Sequence, residues 1–190
     1  MLNDLLIKAR SCRSFKSGKR VDDYLILSML DDARITSATR NAQPLKYRIV
    51  SDPAEVEAFT PLTYWAKSLG IKLPPEGHEP TAYVIMCHDE EVVPFQSIYY
   101  KDVGICGEVI MLSAAEKGLG CCMIGSFDEK KTREMFGLSE KLIPVLVLAL
   151  GYADEEAVIE EAVDGKVKYY RDENNVHHVP KRRLEDIILK

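Results

Sequence analysis

The sequence has no long uninterrupted apolar stretch, although 46% of its 190 residues are hydrophobic. No run approaches the roughly 20 apolar residues that a membrane-spanning helix needs. The first fifteen residues, MLNDLLIKARSCRSF, mix charged with apolar positions and predict an amphipathic helix rather than a secretory signal. We therefore expect one cytoplasmic domain over residues 1–190, with a substantial core and no contact with a membrane.

The common motifs of metal and hydrolase chemistry are also missing. The cysteines are odd in number and show no C-x-x-C spacing, so they predict neither a disulfide framework nor a zinc site. The four histidines have no metal-ligand spacing, and we expect no metal. The chain lacks the G-x-S-x-G elbow of hydrolases and the G-x-G-x-x-G loop of Rossmann dinucleotide sites.

Excess positive charge is absent overall, since the net charge is −5, and we therefore expect no nucleic-acid partner. The cations are nevertheless uneven: one group lies within residues 10–20 and another is Lys181, Arg182 and Arg183. Either group alone fits an ordinary solvated surface. Together, the two groups are able to meet around one small anion.

The apolar pattern predicts helices and strands in mixed order. A polar loop over residues 35–44 separates the second predicted helix from the first strand. Its Asn41 and Gln43 amides offer both donors and acceptors at a strand entry, which suits an uncharged heteroaromatic ligand. After the N-terminal helix, the sequence predicts a helix within 21–35 that Asp22 or Asp23 would cap and a short helix from Asp52 and Pro53 through Phe59. It also predicts an almost wholly apolar helix from 102 that ends at Gly118 or Gly120, and a helix over 128–136 with a capping box of Ser126 and Glu129. The predicted strands are 46–50, 81–88, 121–127 and 143–152; residues 62–80 are irregular, and 179–190 are extended or weakly helical.

Four motifs then carry a family resemblance. RSCRSF at 10–15 resembles the Arg-Ser-x-Arg-x-Phe signature of FMN-dependent nitroreductases, and NAQP at 41–44 resembles their Asn-x-Gln-Pro motif. GEVIMLSAAEKGLGCCMIGSF at 107–127 is similar to their central helix and following strand, and KRRL at 181–184 to their closing segment. The resemblance implies an α+β, nitroreductase-like fold: a central, mostly antiparallel sheet flanked by helices, in a homodimer whose subunits together build each flavin pocket.

The resemblance also implies an FMN site. The phosphate would be held by cations and a hydroxyl at the two ends of the chain, namely Arg10, Ser11, Arg13, Lys181 and Arg183. The ring and ribityl chain would lie against Asn41, Gln43 and the strand-end residues Met123, Ile124 and Gly125. Ser37 and Ala38 stand where the family usually has a Pro-Ser pair, which is a departure from its pattern. No side chain is expected to act as catalytic acid or base.

The implied activity is an FMN-dependent NAD(P)H oxidoreductase with a ping-pong mechanism. It would take hydride from NAD(P)H and reduce a second small molecule, such as a nitroaromatic or a quinone. The alternatives are a flavin-binding carrier or sensor with little turnover, and a fold member that binds no flavin. Trp65, in the irregular segment, is predicted either to line the substrate side of the flavin or to anchor that segment in the core.

Overall fold

A computed structural model describes residues 1–66 and 69–189. Helices and strands occur in mixed order, as expected from the mixed apolar pattern. The helices are α1 Leu2–Lys8, α2 Asp23–Arg34, α3 Pro53–Phe59, α4 Tyr100–Glu116 and α5 Glu129–Phe136. The strands are β1 Leu45–Val50, β2 Ala82–Asp89, β3 Gly120–Ile124, β4 Leu142–Gly151, β5 Ala157–Glu161, β6 Tyr170–Arg171 and β7 His177–Lys181.

The main sheet has four strands in the order β1-β2-β4-β3, and every neighbouring pair is antiparallel. The prediction of a central antiparallel sheet with helices is confirmed. All residues of β2 are buried, which explains its continuous apolar run in a central strand. Because the strands alternate in direction, the start of β1 and the end of β3 lie at the same end of the sheet but at opposite edges.

The sheet carries an apolar core on each face. On one face, α2 and α4 pack through residues such as Ile26, Met29 and Ile110. On the other face, Phe59, Trp65 and Tyr83 belong to a second core under α3 and the segment that follows it. Adjacent strand residues feed both cores, because successive side chains point to opposite faces.

Two of the predicted helix boundaries are confirmed. The Asp52 carboxylate accepts hydrogen bonds from the backbone N–H groups of Ala54 and Glu55, and Pro53 opens α3. After α4, Gly118 has a φ of +73°, and its N–H donates to the Ala115 carbonyl. This geometry is a Schellman ending, in which a left-handed residue satisfies the last carbonyls of the helix. The alternative ending at Gly120 is wrong, because that residue begins β3.

Two other predictions are corrected. Ser126 does not cap α5; the cap is Asp128, whose carboxylate accepts the Lys131 N–H at 3.0 Å. The predicted N-terminal helix over the first fifteen residues ends at Lys8, and residues 10–15 form no helix. They instead make bonds to strand and loop backbones, which compete successfully with helix propensity.

The sequence patterns did not predict the small second sheet, of order β5-β7-β6. Strand β7 pairs in parallel with β5 and antiparallel with β6. The predicted extended tail is partly confirmed by β7, after which only a short 3₁₀ turn, Leu184–Asp186, is present among the described residues. Within 1–66 and 69–189, no helix is both long and apolar enough to cross a membrane.

Candidate functional site

The segment Arg10–Phe15 lies along the outer edge of β3. The Cys12 N–H donates to the Cys121 carbonyl at 2.9 Å, and Ser11 pairs in parallel with Cys121. The segment then crosses to the end of β4, where Phe15 pairs with Ala153. Because these bonds use backbone groups, they fix the positions from which the flanking side chains project.

Two paired glycines make this crossing possible. Gly120 and Gly151 face each other in β3 and β4. A Cβ at Gly120 would stand 2.6 Å from the Cys12 sulfur, and one at Gly151 would stand 2.6 Å from Phe15 Cδ1. No ordinary side chain fits at either position, so the glycines are required by close packing against the segment.

Arg10 presents an unsatisfied buried donor. Its Nη2 donates to the Leu6 carbonyl at 2.6 Å, whereas its buried Nε has no hydrogen-bond partner in the described part of the chain. Arg10 also forms no ion pair with any described residue. A buried guanidinium donor without a partner is costly unless an acceptor arrives. An anion such as a phosphate would supply that acceptor.

Arg13, in contrast, is already engaged within the chain. Its Nη1 donates to the Ser11 carbonyl at 3.2 Å and lies 3.3 Å from His177 Nε2. The guanidinium also lies 5.4 Å from the centroid of the Tyr169 ring, a cation–π distance. Arg13 therefore joins the N-terminal segment to the small sheet through β7.

A buried acid completes this junction. The Glu155 carboxylate accepts the backbone N–H of Arg13 and pairs with the Arg171 guanidinium, and its side chain is only 3% exposed. Burial, and secondarily the Arg13 charge, lower the pKa of His177. A neutral imidazole is able to accept the Arg13 hydrogen bond. Sequence reasoning missed Glu155 and His177, because each lies more than 140 positions from Arg13 and no local pattern links them.

The cysteines around this segment are poor nucleophiles. Burial raises the pKa of the Cys12 thiol to about 12 and also raises the pKa of Cys122. Cys121 and Cys122 belong to the two different cores, as expected for neighbours in a strand. All five cysteines are buried, free thiols.

The C-terminal cations lie on and beyond β7. Lys181 is exposed, stands opposite Glu161 on β5, and makes no ion pair with a described residue. Arg183 is bound by Asp186 at 3.0 Å and by Glu185 at 3.4 Å. The contact between the two ends of the chain runs from Arg13 to His177, at the other end of β7 from Lys181.

The predicted amide loop is exposed and conformationally unusual. Arg40, Asn41 and Gln43 have φ values of 54°, 52° and 51°, in the left-handed region that side chains other than glycine rarely adopt. The Gln43 amide donates to the Asn41 Oδ1 at 3.2 Å. Such backbone strain concentrates at ligand sites, where surrounding structure holds it in place.

Asp102, in the first turn of α4, holds this loop. Its carboxylate accepts the Thr39 N–H at 2.9 Å and the Thr39 hydroxyl at 2.7 Å, and the residue is 2% exposed. Ala38 is half-buried beside this bond, and the exposed Ser37 hydroxyl has no hydrogen-bond partner among the described residues. Asp102 is a third residue that sequence reasoning missed, since its partner lies 63 positions away.

The third predicted group is the end of β3. Met123 is half-buried, Ile124 is buried, and Gly125 is exposed just beyond the strand. These residues and the amide loop lie at the same end of the main sheet but at its opposite edges. One chain therefore presents two separate groups of predicted flavin contacts.

Trp65 lies in the second core. It is 7% exposed, its indole N–H donates to Thr63 Oγ1 at 2.8 Å, and its ring meets Phe15 edge-on at 6.5 Å. Its neighbour Tyr64 donates its N–H to the Ser126 carbonyl, directly after Gly125. Trp65 thus has a core environment, close to the loop that follows β3.

An antiparallel sheet with helices on its faces, a basic segment along one edge and an amide loop at the other edge make up an α+β fold. The described residues contain no cluster of three side chains able to hold a metal. The family model described as "Nitroreductase family" matches residues 77–152, from just before β2 through the end of β4. The resemblance inferred from the motifs is therefore confirmed.

Individual relatives agree with this match. A protein of Archaeoglobus fulgidus, assigned provisionally as an NADH dehydrogenase/NAD(P)H nitroreductase, is 26% identical over 84% of this chain and 90% of its own length. The structure of a nitroreductase family protein from Streptococcus pneumoniae is 15% identical, covers 100% of both chains and has a TM-score of 0.71. An FMN-dependent nitroreductase from Clostridium difficile is 21% identical over 87% of this chain and 92% of its own, with a TM-score of 0.66.

Proposed function

We propose that this chain is a cytoplasmic FMN-dependent oxidoreductase, a single domain that takes hydride from NAD(P)H and reduces a second small molecule. The observation that carries the proposal is the buried Arg10 Nε, which has no hydrogen-bond partner within residues 1–66 and 69–189 and lies beside the Ser11–Cys121 pairing at the edge of β3. The description of the Clostridium difficile relative as FMN-dependent and the provisional NAD(P)H assignment of the Archaeoglobus protein support the choice of cofactor and donor.

The residues present fit the phosphate of FMN. Arg10 and Ser11 would bind it from the N-terminal segment, and Lys181 would add charge from β7. Arg13 and Arg183 would contribute less directly, because their guanidinium groups are already bound within the chain. Arg13 would keep the segment attached to the small sheet, and Arg183 would contact the phosphate only by leaving Asp186.

The remaining contacts would hold the ring and the ribityl chain. Asn41 and Gln43 would offer amides, the exposed Ser37 hydroxyl with Ala38 would stand in for the usual Pro-Ser pair, and the end of β3 would offer backbone groups at Met123, Ile124 and Gly125. When bound, FMN supplies the redox chemistry, and the protein's residues bind, orient and desolvate it. No side chain is assigned a catalytic proton transfer.

Each pocket would be completed by a second copy of the chain. The amide loop and the end of β3 lie at opposite edges of one sheet, so a homodimer would bring one group from each subunit to each flavin. Helix α4 has an apolar face suited to such contact: Ile105 is 41% exposed, and Val109 and Leu112 are only partly covered. Light scattering at micromolar concentration should therefore give the mass of a dimer, and a monomer with bound flavin would contradict this part of the proposal.

The phosphate assignment is tested by flavin titration of single variants. Arg10→Ala and Lys181→Ala should each weaken FMN binding by about tenfold to a hundredfold, the effect of losing one charged hydrogen bond. Arg182→Ala is the matched control, because it removes an exposed neighbouring charge that has no assigned contact. Equal FMN affinity in all three variants and the unaltered protein would reject the assignment.

Turnover separates the enzyme from a carrier. Anaerobic NADH or NADPH should bleach the flavin absorbance, and a nitroaromatic or quinone added afterwards should restore it. Parallel lines in a double-reciprocal plot would support the ping-pong scheme. Flavin that binds but is neither bleached nor restored would favour a carrier or sensor, and protein that takes up no FMN would reject the proposal.

A further inference from the structure

A cavity of about 750 Å³ lies between α3 and the segment that leads into β2. It belongs to the second-core face of the main sheet, and its walls include Val56, Trp65, Leu73 and Thr81. None of the residues assigned to FMN lines it. Pro53 and Thr81 place it at the β1–β2 side of the sheet, whereas Arg10 and Ser11 lie at the outer edge of β3.

The walls of this cavity are built to stay open. They include Pro53, Pro61, Pro74 and Pro80, whose rings fix their backbone angles and have little freedom to collapse inward. Trp65 is held at the cavity by its hydrogen bond to Thr63 and its contact with Phe15. A cavity of this size with preformed walls lies in the range of small-molecule sites.

The charged residues that line the cavity restrict the kind of ligand that it would bind. Arg20 and Lys72 are balanced by Glu57 and Glu79, so the described lining residues carry no net charge. The Arg20 guanidinium is already bound to the Ser51 carbonyl, and Lys72 forms no ion pair with a described residue. Threonine hydroxyls at positions 60, 63 and 81 add short polar groups to a mainly apolar wall.

We propose that this cavity is a second ligand site, separate from the flavin site, for a flat, uncharged and largely apolar molecule that carries a hydrogen-bonding group at its edge. The apolar wall and the Trp65 ring would cover the faces of such a ligand, and the threonines would meet its polar edge. The proposal does not depend on flavin binding or on turnover.

The single tryptophan makes the site directly observable. In the flavin-loaded protein, the Trp65 indole N–H should give a single ¹H–¹⁵N resonance, which can be followed during titration with 2-naphthol. This probe is flat, neutral near pH 7 and has one hydroxyl. A saturable shift with one site per chain is the expected result. The absence of a saturable shift at millimolar probe would overturn the proposal.

Variants locate the site. Thr81→Phe fills the cavity and should weaken 2-naphthol binding by about tenfold or more. Leu27→Ala is the control: it removes an apolar side chain, 57% exposed, from α2 on the other face of the main sheet, and should leave the affinity unchanged. If Thr81→Phe does not fold, Leu73→Ala removes a half-buried wall residue and should weaken binding in the same direction. Unchanged affinity in the cavity variant that folds would overturn the proposal.

Flavin absorbance distinguishes this site from the proposed active site. Binding in the cavity should move the Trp65 resonance without changing the flavin spectrum, and added FMN should not displace the probe. Displacement by FMN, or a flavin spectral change with the same dissociation constant as the Trp65 shift, would assign the probe to the flavin site and overturn the proposal. If the protein binds no FMN, the same saturable Trp65 shift is expected in the flavin-free chain.

Discussion

Two of the four segments that carry family motifs, Arg10–Phe15 and the amide loop, are held in different ways. The Arg10–Phe15 segment is bonded to strand backbones and packs against Gly120 and Gly151. The amide loop is exposed, includes left-handed residues, and is held through Asp102 and Thr39. The first segment depends on steric fit over a broad contact, whereas the second depends on a few hydrogen bonds to one carboxylate. Substitutions that disturb the two segments should therefore act by different mechanisms, steric overlap in the first and loss of hydrogen bonds in the second.

The largest effect on stability is expected from a side chain added at Gly151, where the Arg10–Phe15 segment packs closely against β4. Gly151→Ala places a methyl group 2.6 Å from Phe15 Cδ1, so the Arg10–Phe15 segment must shift. Overpacking of this kind destabilises a fold by about 1–3 kcal/mol, and chemical denaturation should show the loss. Gly125→Ala is a matched control, because a Cβ there meets nothing within 4 Å. Equal stability of the two variants would show that the segment is not held by steric fit.

A loss of stability of similar or smaller size is expected when the hydrogen bonds between Asp102 and the amide loop are removed. Asp102→Ala leaves the half-buried Thr39 N–H and hydroxyl without their acceptor, which costs about 1–3 kcal/mol of unfolding free energy. Flavin affinity should fall as well, because the loop positions Asn41 and Gln43. Asp31→Ala, which removes an exposed ion pair with Arg34, should change stability by less than about 0.5 kcal/mol. Unchanged unfolding free energy and unchanged FMN affinity in Asp102→Ala would show that the amide loop does not depend on these hydrogen bonds.

A smaller effect of opposite sign is expected within the loop. Gln43 adopts a φ of 51°, which glycine tolerates without strain. Gln43→Gly should therefore raise the free energy of unfolding by up to about 1 kcal/mol while weakening FMN binding. Urea midpoints and flavin titration measure the two effects separately. Lower stability together with unchanged flavin affinity would contradict both parts of this prediction.

The smallest effects concern the pH dependence of stability. They arise from the histidines of β7, the strand that Arg13 contacts. Burial and Arg13 lower the pKa of His177, so the unfolded chain binds a proton more readily and stability falls as pH drops below about 6.5. Hydrogen bonding to Glu160, and then to Asp172, raises the pKa of His178. Its contribution is complete below about pH 6.5 and is lost as pH rises through the folded pKa.

Single asparagine variants separate these two histidines. His177→Asn should flatten the acid side of a plot of urea midpoint against pH. His178→Asn should be less stable than the unaltered protein near pH 6, with a difference that shrinks at higher pH. The same pH profile in both variants would show that the two histidines do not titrate with opposite effects.

Much of the fold was predictable because it depends on local signals. The apolar run of β2, the Asp52-Pro53 start of α3 and the Gly118 ending of α4 each follow from a few adjacent residues. The small sheet was not predictable, because β5 and β7 pair across about 20 positions of mostly polar sequence without alternation. The N-terminal segment carried a helical pattern, but its backbone bonds to β3 prevailed beyond Lys8.

In the candidate site, too, local motifs indicated some residues, whereas contacts between distant parts of the chain were not predictable. The motifs indicated Arg10, Asn41 and Gln43, whose roles in flavin binding stay predictions. Nothing in the sequence indicated that Asp102 would hold Thr39 or that Glu155 would hold Arg13, because each pair meets only when distant elements pack. Trp65 was predicted as either lid or core anchor, and its burial against Phe15 gives it a core environment without testing its effect on acceptor choice.

The position of the Arg10–Phe15 segment has a consequence for the chain in concentrated solution. β3 is a terminal strand of the main sheet, and an uncovered terminal strand is a template for pairing with other molecules. The Cys12 N–H donates a hydrogen bond to the Cys121 carbonyl of that strand, so this carbonyl is not available to another molecule. Removal of residues 1–14 should therefore expose β3 and promote intermolecular strand addition. The segment that carries the proposed phosphate contacts would thus also protect the protein from aggregation.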